Sequence, residues 1–275
     1  MHGIRPFAFC ENGALHSTRA CRISARMARA RSSRKTGTKD AGLRAAFRDA
    51  RPRPIRWILR WTLRAVLLVA VLGGLWVLAY KVINPPTTPY IMQETRRLGT
   101  VDRIWVPMES IAPVMARSAV AAEDANFCLH WGFDMVAIRA ALEDGAVRGA
   151  STISQQVVKN AYLWQGRNWS RKALEGLLTP LVEATWSKRR ILEVYLNIIE
   201  FDEGVFGIEA AARHYFDLGP EDLSAVQAAR LAAVLPNPKA RDAAQPTPTL
   251  RRRAAGIMDG AETIRRDGRA ACFED

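Results

Sequence analysis

The 275-residue sequence has little of what would indicate a metal site, a basic globular domain or several membrane spans. Its four cysteines show no spacing typical of metal ligands. Residues 65–275 have no net charge, because 24 Lys and Arg are balanced by 24 Asp and Glu. The composition, 49% apolar and 24% charged, allows one good core and excludes both wholesale disorder and a polytopic transporter.

The formal charge of +13 lies in the first quarter of the chain, where residues 1–64 hold 16 Lys and Arg and three Asp and Glu. An apolar run without charge or proline follows at Ala65–Tyr80. At about 1.5 Å per residue this run is slightly short of the hydrocarbon core, and aromatic and basic residues lie near its ends. We predict a retained single-span anchor rather than a cleaved signal peptide, since 64 residues precede it and no clear small-x-small site follows.

Lys and Arg are distributed unequally around this apolar run. Residues 44–64 contain seven of them, and residues 81–100 contain three. Because cytoplasmic flanks are enriched in Lys and Arg, the sequence predicts a cytoplasmic N-terminus and a C-terminal domain across the membrane. Cys128 and Cys272 would then lie where disulfides are permitted. The sequence leaves open whether these two cysteines pair.

Beyond the anchor the pattern is mainly helical, with no run of strands and no internal repeat. Apolar residues recur at helical spacing before Glu123 and along residues 188–199, and Ser170 is a good N-cap for a helix that Pro180 should kink. The predicted divisions are a basic, largely disordered tail (1–60), a transmembrane anchor (61–83), a linker (84–92), a helical domain (93–245) and a C-terminal tail (246–275).

Four short polar stretches carry the chemistry that the sequence suggests. In chain order they are EDANFCLHWG (123–132), GASTISQQVVKN (149–160), RKALE (171–175) and KRRILEVYLN (188–197). An isolated Glu-Asp pair, or an Arg and a Glu four residues apart on a helix, is more often an ordinary surface feature. The stretches are therefore informative as an ordered set rather than singly.

This ordered set resembles glycosyltransferase family 51, the peptidoglycan glycosyltransferases, whose motifs are EDxxFxxHxG, GxSTIxQQxxKN, RKxxE and KxxILExYLN. The match covers roughly residues 90–240, with one departure at Gln227, where the family commonly has Glu. The resemblance implies a mainly α, lysozyme-like transferase domain with a membrane-associated small lobe, here on a single N-terminal transmembrane helix. Only about 35 residues follow the match, which indicates the monofunctional branch without a transpeptidase domain.

The activity implied by the resemblance is polymerisation of lipid II into linear glycan strands, with undecaprenyl diphosphate as the leaving group. Such a transfer needs a base for the acceptor hydroxyl and cations or amide donors for the departing diphosphate. The resemblance makes Glu123 the general base and Glu175 a second catalytic carboxylate on the donor side. The predicted substrate-binding residues are Asp124, Ser151, Thr152, Gln155, Gln156, Lys159, Arg167, Arg171 and Lys172, of which Lys159 and Arg167 match positions implicated in stabilising the leaving group.

Several assignments stay open at this point. Asp124 either tunes the charge of Glu123 or holds the hydrogen bonds of its motif, and His130 is interpreted as structural. The resemblance implies no certain cofactor and leaves open a divalent cation, Mg²⁺ or Mn²⁺, at the diphosphate. The expected partners are lipid II, the growing glycan chain, a bacterial inner membrane and other cell-wall synthesis proteins, and no nucleic acid is expected.

Two other functions remain as alternatives. One is a lytic transglycosylase or lysozyme-like enzyme, which would also be helical and use a catalytic Glu but needs no diphosphate-binding cations. The other is a membrane-tethered scaffold that uses its basic tail, which the neutral charge of residues 65–275 disfavours.

Overall fold

The computed structural model describes residues 53–143, 145, 151–166 and 168–274. Within these ranges the chain is mainly helical, as predicted. The helices are α1 (Arg53–Val82), α2 (Pro89–Leu98), α3 (Pro113–Glu123), α4 (Met135–Glu143), α5 (Ile153–Tyr162), α6 (Trp169–Thr185), α7 (Lys188–Ile198), α8 (Ile208–Phe216), α9 (Ala225–Val234), α10 (Pro248–Arg266) and α11 (Ala271–Glu274). The strands are β1 (Asp102–Arg103), β2 (Glu200–Asp202) and β3 (Val205–Phe206).

Helix α1 contains the apolar run and confirms the predicted N-terminal apolar helix, although the helix begins at Arg53 rather than at residue 61. In the described part of the chain it is the one helix long and apolar enough to cross a membrane. The side chains of residues 54–72 are exposed, as expected for a surface that lipid would cover. Α helix of this length and composition is suited to anchoring the protein in a membrane.

The C-terminal end of α1 is bonded to the helical domain. The indole Nε1 of Trp186 donates to the carbonyl of Val77 at 3.0 Å, and the guanidinium of Arg190 donates to the carbonyls of Tyr80 and Ile83, each at 3.0 Å. The carbonyls of Tyr80 and Ile83, at and just after the end of α1, have no partner within the helix, so Arg190 satisfies acceptors that would otherwise need water.

The core of the domain lies between two groups of packed helices. Helices α3, α9 and α10 contact one another, and α5 contacts both α6 and α7. The apolar positions that the spacing along residues 188–199 predicts are fully buried in α7: Ile191, Leu192, Tyr195 and Ile198. The candidate site lies where α3 of the first group reaches α5 of the second.

A small sheet accompanies the helices in the order β1-β3-β2. Strand β1 runs parallel to β3, with Asp102 opposite Val205, and β2 runs antiparallel to β3. These strands were not predicted, because two or three residues are too few to produce a recognisable alternation in the sequence.

The folded domain extends beyond residue 245, where the sequence analysis placed a tail. Helix α10 packs against α3 and α9, and its buried residues recur every three or four positions: Leu250, Ala254, Ile257, Ala261 and Ile264. Cys272 in α11 forms a disulfide with Cys128, the pairing that the sequence left open. The predicted boundary marked the end of the recognisable motifs rather than the end of the fold.

Two local expectations had different outcomes. The N-cap of α6 is Asn168, whose Oδ1 accepts a hydrogen bond from the backbone N–H of Arg171 at 2.8 Å, so the prediction of Ser170 as the cap was wrong. Gln227 forms a capping box with Ser224 at the start of α9. Its amide oxygen accepts from the Ser224 N–H at 3.0 Å, as a Glu carboxylate would, which agrees with a structural role for this departure.

Candidate active site

The site is assembled from the end of one helix and two others. Glu123 is the last residue of α3, Gln156 and Lys159 belong to α5, and Glu175 lies in the second turn of α6. Gln156 and Lys159 are three residues apart and therefore project from the same side of α5. Helix α5 thus connects the two predicted catalytic carboxylates.

Glu123 is held by one amide and faces one guanidinium. Its Oε2 accepts a hydrogen bond from the Gln156 side-chain amide at 2.9 Å, and its Oε1 lies 3.9 Å from a guanidinium nitrogen of Arg253. The amide oxygen of Gln156 accepts in turn from the hydroxyl of Tyr195 at 3.4 Å. The side chain of Glu123 is 14% exposed, so it remains accessible from the cleft beside it.

Burial raises the pKa of Glu123 above the usual value for a glutamate. The hydrogen bond from Gln156 and the positive charges of Arg253 and Lys159 act in the opposite direction, and the charge of Asp124 adds slightly to the increase. A carboxylate with a raised pKa is a stronger base while it is still deprotonated near neutral pH. This combination suits a group that removes a proton.

Asp124 connects α3, the following loop and α5. Its Oδ2 accepts from the N–H of Ile153 at the start of α5 at 3.0 Å, and its Oδ1 lies 2.8 Å from Nε2 of His130. The N–H of Gly132 donates to Nδ1 of His130, so Nδ1 is the acceptor and Nε2 carries the proton donated to Asp124. Of the two roles left open, these contacts favour holding the hydrogen bonds of the motif.

The other residues of the first motif are explained by packing. Gly132 has a φ of +86°, and a Cβ at this position would lie 2.6 Å from Cγ2 of Thr179, so glycine is required for both reasons. Phe127 is fully buried beneath the ammonium of Lys188, 4.4 Å from the ring centroid. Lys188, the first residue of α7, also donates to the carbonyl of His130 at 2.8 Å, which ties the loop after α3 to α7.

The polar residues before and within the first turn of α5 differ in accessibility. Thr152 and Gln155 are buried and form the capping box that begins the helix, and the Thr152 hydroxyl donates to the carbonyl of Gly132 at 2.7 Å. Ser151 is exposed and lines a cleft of about 360 Å³ with Glu123 and Asp124. Ser151 and Thr152 both line this cleft, Ser151 as its exposed member, whereas Gln155 acts in the capping box that begins the helix.

Lys159 interacts electrostatically with both carboxylates, Glu175 and Glu123. Burial lowers the pKa of this lysine, and the two carboxylates oppose that effect while Arg171 and Lys172 add to it. A partly buried cation between two carboxylates can balance charge on either side of the site.

Glu175 is surrounded by positive charge. One oxygen accepts from the guanidinium of Arg171 at 2.7 Å and the other from the ammonium of Lys172, while its own side chain is only 4% exposed. Arg171 also donates to the carbonyl of Gly166 at 2.8 Å. Arg171 and Lys172 line a second cleft, of about 260 Å³, together with Asn168 and Trp169. The predicted donor-side residue Arg167 lies outside the described residues.

The donor set around Glu175 does not fit a divalent cation. Mg²⁺ at a diphosphate is usually bound through one or two carboxylates, but both oxygens of Glu175 already accept from cations. In the part of the chain that the structure describes, no cluster of three or more His, Cys, Asp or Glu is positioned to hold a metal ion. Positive charge at this site comes from Lys and Arg side chains.

Sequence reasoning missed two residues that contact the site. Tyr195 is fully buried in α7, where its position on the apolar face concealed the role of its hydroxyl. Arg253 belongs to a run of three arginines in the segment interpreted as a tail, 130 residues after its partner Glu123. The run itself was visible in the sequence, but nothing indicated which arginine faces the site.

Comparisons with a family model and with curated proteins identify the same family. A family model described as Transglycosylase matches residues 91–262. A biosynthetic peptidoglycan transglycosylase of Jannaschia sp. (strain CCS1) is 61% identical over 214 residues, which cover 78% of this chain and 90% of that protein. Proteins of the same name from Rhodospirillum centenum (strain ATCC 51521 / SW) and Pseudomonas fluorescens (strain SBW25) are 46% and 44% identical, over 76% and 78% of this chain and 95% and 93% of their own lengths.

Proposed function

Because the chain belongs to the transglycosylase family of peptidoglycan glycosyltransferases, we propose that it polymerises lipid II into linear glycan strands and releases undecaprenyl diphosphate. The observation that carries this proposal is the contrast between two buried carboxylates at one site. Glu123 is held by a neutral amide and has a raised pKa, whereas Glu175 is neutralised by Arg171 and Lys172. One side of the site is suited to proton removal and the other to binding a diphosphate.

On the acceptor side, Glu123 is the general base. It takes the proton of the 4-hydroxyl of the acceptor N-acetylglucosamine while that oxygen forms a bond to the anomeric carbon of the donor. Its position at the end of α3, on the wall of the cleft that Ser151 also lines, gives a sugar hydroxyl access to it. Asp124 keeps this end of α3 against α5 through Ile153 and His130.

On the donor side, the bond between the anomeric carbon and the diphosphate oxygen breaks, and its electron pair stays with the diphosphate. Lys159, Arg171 and Lys172 offset the charge that develops there, and Arg167 is proposed to contribute as well. Glu175 orients Arg171 and Lys172 through its two carboxylate oxygens. A single displacement of this kind inverts the configuration at the anomeric carbon.

The cation cluster also distinguishes this function from the alternatives. A lysozyme-like hydrolase or a lytic transglycosylase cleaves a glycan without releasing a diphosphate, so it has no need for three cations around one carboxylate. A scaffold acting through the basic tail would need none of the paired side chains at this site.

For the location, we propose a single-pass protein of the bacterial inner membrane with a cytoplasmic N-terminus and a periplasmic catalytic domain. The unequal numbers of Lys and Arg around the apolar run support this orientation. The disulfide between Cys128 and Cys272 supports it independently, because such bonds persist in the periplasm and are rare in the cytoplasm.

The test is incubation of the purified full-length protein with labelled lipid II in detergent. We expect a polymer that lysozyme digests, formed together with free undecaprenyl diphosphate. Shortening of preformed glycan strands without lipid II consumption would instead identify a cleaving enzyme. A reporter that functions only in the periplasm should be active when fused to the C-terminus, and activity of a cytoplasm-specific reporter there would contradict the orientation.

A further inference from the structure

Arg253 reaches the candidate base from outside the motifs that identify the site. It lies in the second turn of α10, and one of its guanidinium nitrogens is 3.9 Å from Oε1 of Glu123. Helix α10 packs closely on α3, since a Cβ built at Gly260 would lie 3.3 Å from the Cβ of Ala121. The guanidinium is therefore brought to Glu123 by helix packing rather than by a loop.

The contact complements the hydrogen bond on the other carboxylate oxygen. Oε2 of Glu123 is occupied by the Gln156 amide, and Oε1 faces Arg253. The hydrogen bond anchors Oε2, and the positive charge of Arg253 favours negative charge on the Oε1 side. At 3.9 Å the guanidinium leaves Oε1 free to accept a proton, because this distance exceeds that of a hydrogen bond.

Charged and titratable groups from several elements act on Glu123. They are Asp124 after α3, Lys159 on α5, Tyr195 on α7 and Arg253 on α10, and Asp134 before α4 lines the same cleft. Lys159 is shared with Glu175, whereas Arg253 pairs with no other carboxylate among the described residues. Arg253 is thus the positive charge assigned to Glu123 alone within the described part of the chain.

We propose that Arg253 is a positioning residue that acts through Glu123: its charge lies on the Oε1 side of the carboxylate and keeps that group deprotonated. This inference rests on the proposed role of Glu123 as the base. It adds α10, which lies beyond the sequence motifs, to the elements that support the reaction. Burial favours the neutral form of Glu123, and the guanidinium offsets that effect without competing for the proton, since arginine stays charged throughout the working pH range.

The experiment compares three variants of the full-length protein. Arg253→Gln removes the charge, Arg253→Lys keeps it, and Arg252→Gln removes a charge from the neighbouring position. Arg252 is exposed, and its guanidinium donates to the hydroxyl of Thr249 at 3.2 Å, so it serves as the matched control. For each variant, kcat/KM for lipid II polymerisation is measured against pH, beside a thermal melt.

The base acts when it is deprotonated, so activity falls as the pH decreases through the pKa of Glu123. Removing the nearby positive charge raises that pKa, and the acidic limb of kcat/KM for Arg253→Gln should move upward by roughly 0.5–1 pH unit. The shift is at the low end for an opposite charge at this distance, because the Arg253 side chain is 38% exposed. On the plateau above this limb the variant should recover to within about threefold of the parent, and Arg253→Lys and Arg252→Gln should keep the parental limb.

Two results would overturn the proposal. One is a folded Arg253→Gln protein whose acidic limb stays at the parental pH, and the other is a loss of plateau activity without a shift, which would indicate a direct contact with substrate. Glu123→Gln is measured in the same assay, so that a failure of the role proposed for Arg253 can be distinguished from a failure of the base assignment. If Glu123→Gln is inactive and the Arg253→Gln limb does not move, only the role of Arg253 fails; if Glu123→Gln stays active, the base assignment fails and this inference with it.

Discussion

Glu123, at the end of α3, and Glu175, in the second turn of α6, are both largely shielded from water, yet their surroundings differ. Glu175 has a cation on each oxygen, whereas Glu123 has a neutral amide on one oxygen and a guanidinium 3.9 Å from the other. A carboxylate whose two oxygens each accept from a cation holds those cations in place, whereas one that is hydrogen-bonded on a single oxygen leaves the other oxygen open to a substrate hydroxyl. Burial alone therefore does not determine what a carboxylate does; the number and distance of its cations decide between a fixed charge and a base.

Lys159 interacts with the carboxylates on both sides of the site, Glu123 and Glu175. Because it interacts with both carboxylates, a substitution that changes the charge on one side of the site should alter the electrostatic environment on the other. Substitutions that act on one carboxylate at a time can show how separate the two sides are.

The largest expected effect comes from Glu123→Gln, which keeps the size of the side chain and removes its ability to accept a proton near neutral pH. Lipid II polymerisation should fall by about 100–10,000-fold, the range typical of losing a general base. Binding of lipid II and the melting temperature should stay close to those of the parent. Glu221→Gln, on an exposed residue, is the matched control. A folded Glu123→Gln enzyme with more than about a tenth of the parental activity would remove Glu123 from this role.

A somewhat smaller effect is expected for Lys159→Ala, because it removes one charge that we propose stabilises the leaving group in the transition state. The barrier should rise by roughly 3 kcal/mol, on the order of a hundredfold in kcat, with less change in substrate binding. Lys172→Ala should cost less, since its side chain is 43% exposed and water can replace part of its charge stabilisation. Equal rate losses for the two lysine variants would contradict the central position assigned to Lys159.

Glu175→Gln tests the donor side. It leaves Arg171 and Lys172 without their carboxylate partner, and we expect a loss of about 10–100-fold, comparable with removing one electrostatic contact. The acidic limb of kcat/KM should remain where it is in the parent, because in the proposed mechanism that limb reports the deprotonation of Glu123, whose pKa burial raises. A limb that disappears in Glu175→Gln but persists in Glu123→Gln would reverse the two assignments.

The smallest effect on rate is expected from Cys272→Ser. The disulfide joins α11 to the loop after Glu123, and its loss should decrease the free energy of unfolding by about 2–4 kcal/mol. This corresponds to a melting temperature lower by roughly 5–15 °C, while the rate at 25 °C should stay within about threefold because the hydrogen bonds of Asp124 remain. Dithiothreitol should lower the melting temperature of the parent and leave that of Cys272→Ser unchanged; an equal response of both would place the effect elsewhere.

Much of the site follows from motifs in the sequence that resemble those of a known family. The motifs indicated Glu123, Gln156, Lys159, Arg171 and Glu175, and the structure brings these five together. Helical spacing predicted the buried face of α7 because one face of an amphipathic helix must pack against a core. The pattern also separated the helical domain from the apolar helix before it.

Contacts between distant segments could not be derived in this way. The pairs Arg253–Glu123 and Cys128–Cys272 join residues 130 and 144 positions apart, and their proximity depends on how α10 and α11 pack. The cap of α6 was assigned to the wrong residue because Asn168 and Ser170 are both residue types that favour the N-cap position. Which of them caps the helix depends on where the backbone turns from extended to helical, and that occurs at Asn168. The motif resemblance indicated the members of the site, while packing selected their partners.

The disulfide also orders the events of biosynthesis. Cys272 is synthesised 144 residues after Cys128, so the bond cannot close until both segments have crossed the membrane in the orientation that we propose. A product that ends before residue 272 would keep a free thiol at Cys128, beside the loop that carries Asp124 and His130. In an oxidising compartment such a thiol can form mixed disulfides with other proteins. Closure of this bond would therefore mark a fully translocated domain, distinguishing it chemically from a prematurely terminated one.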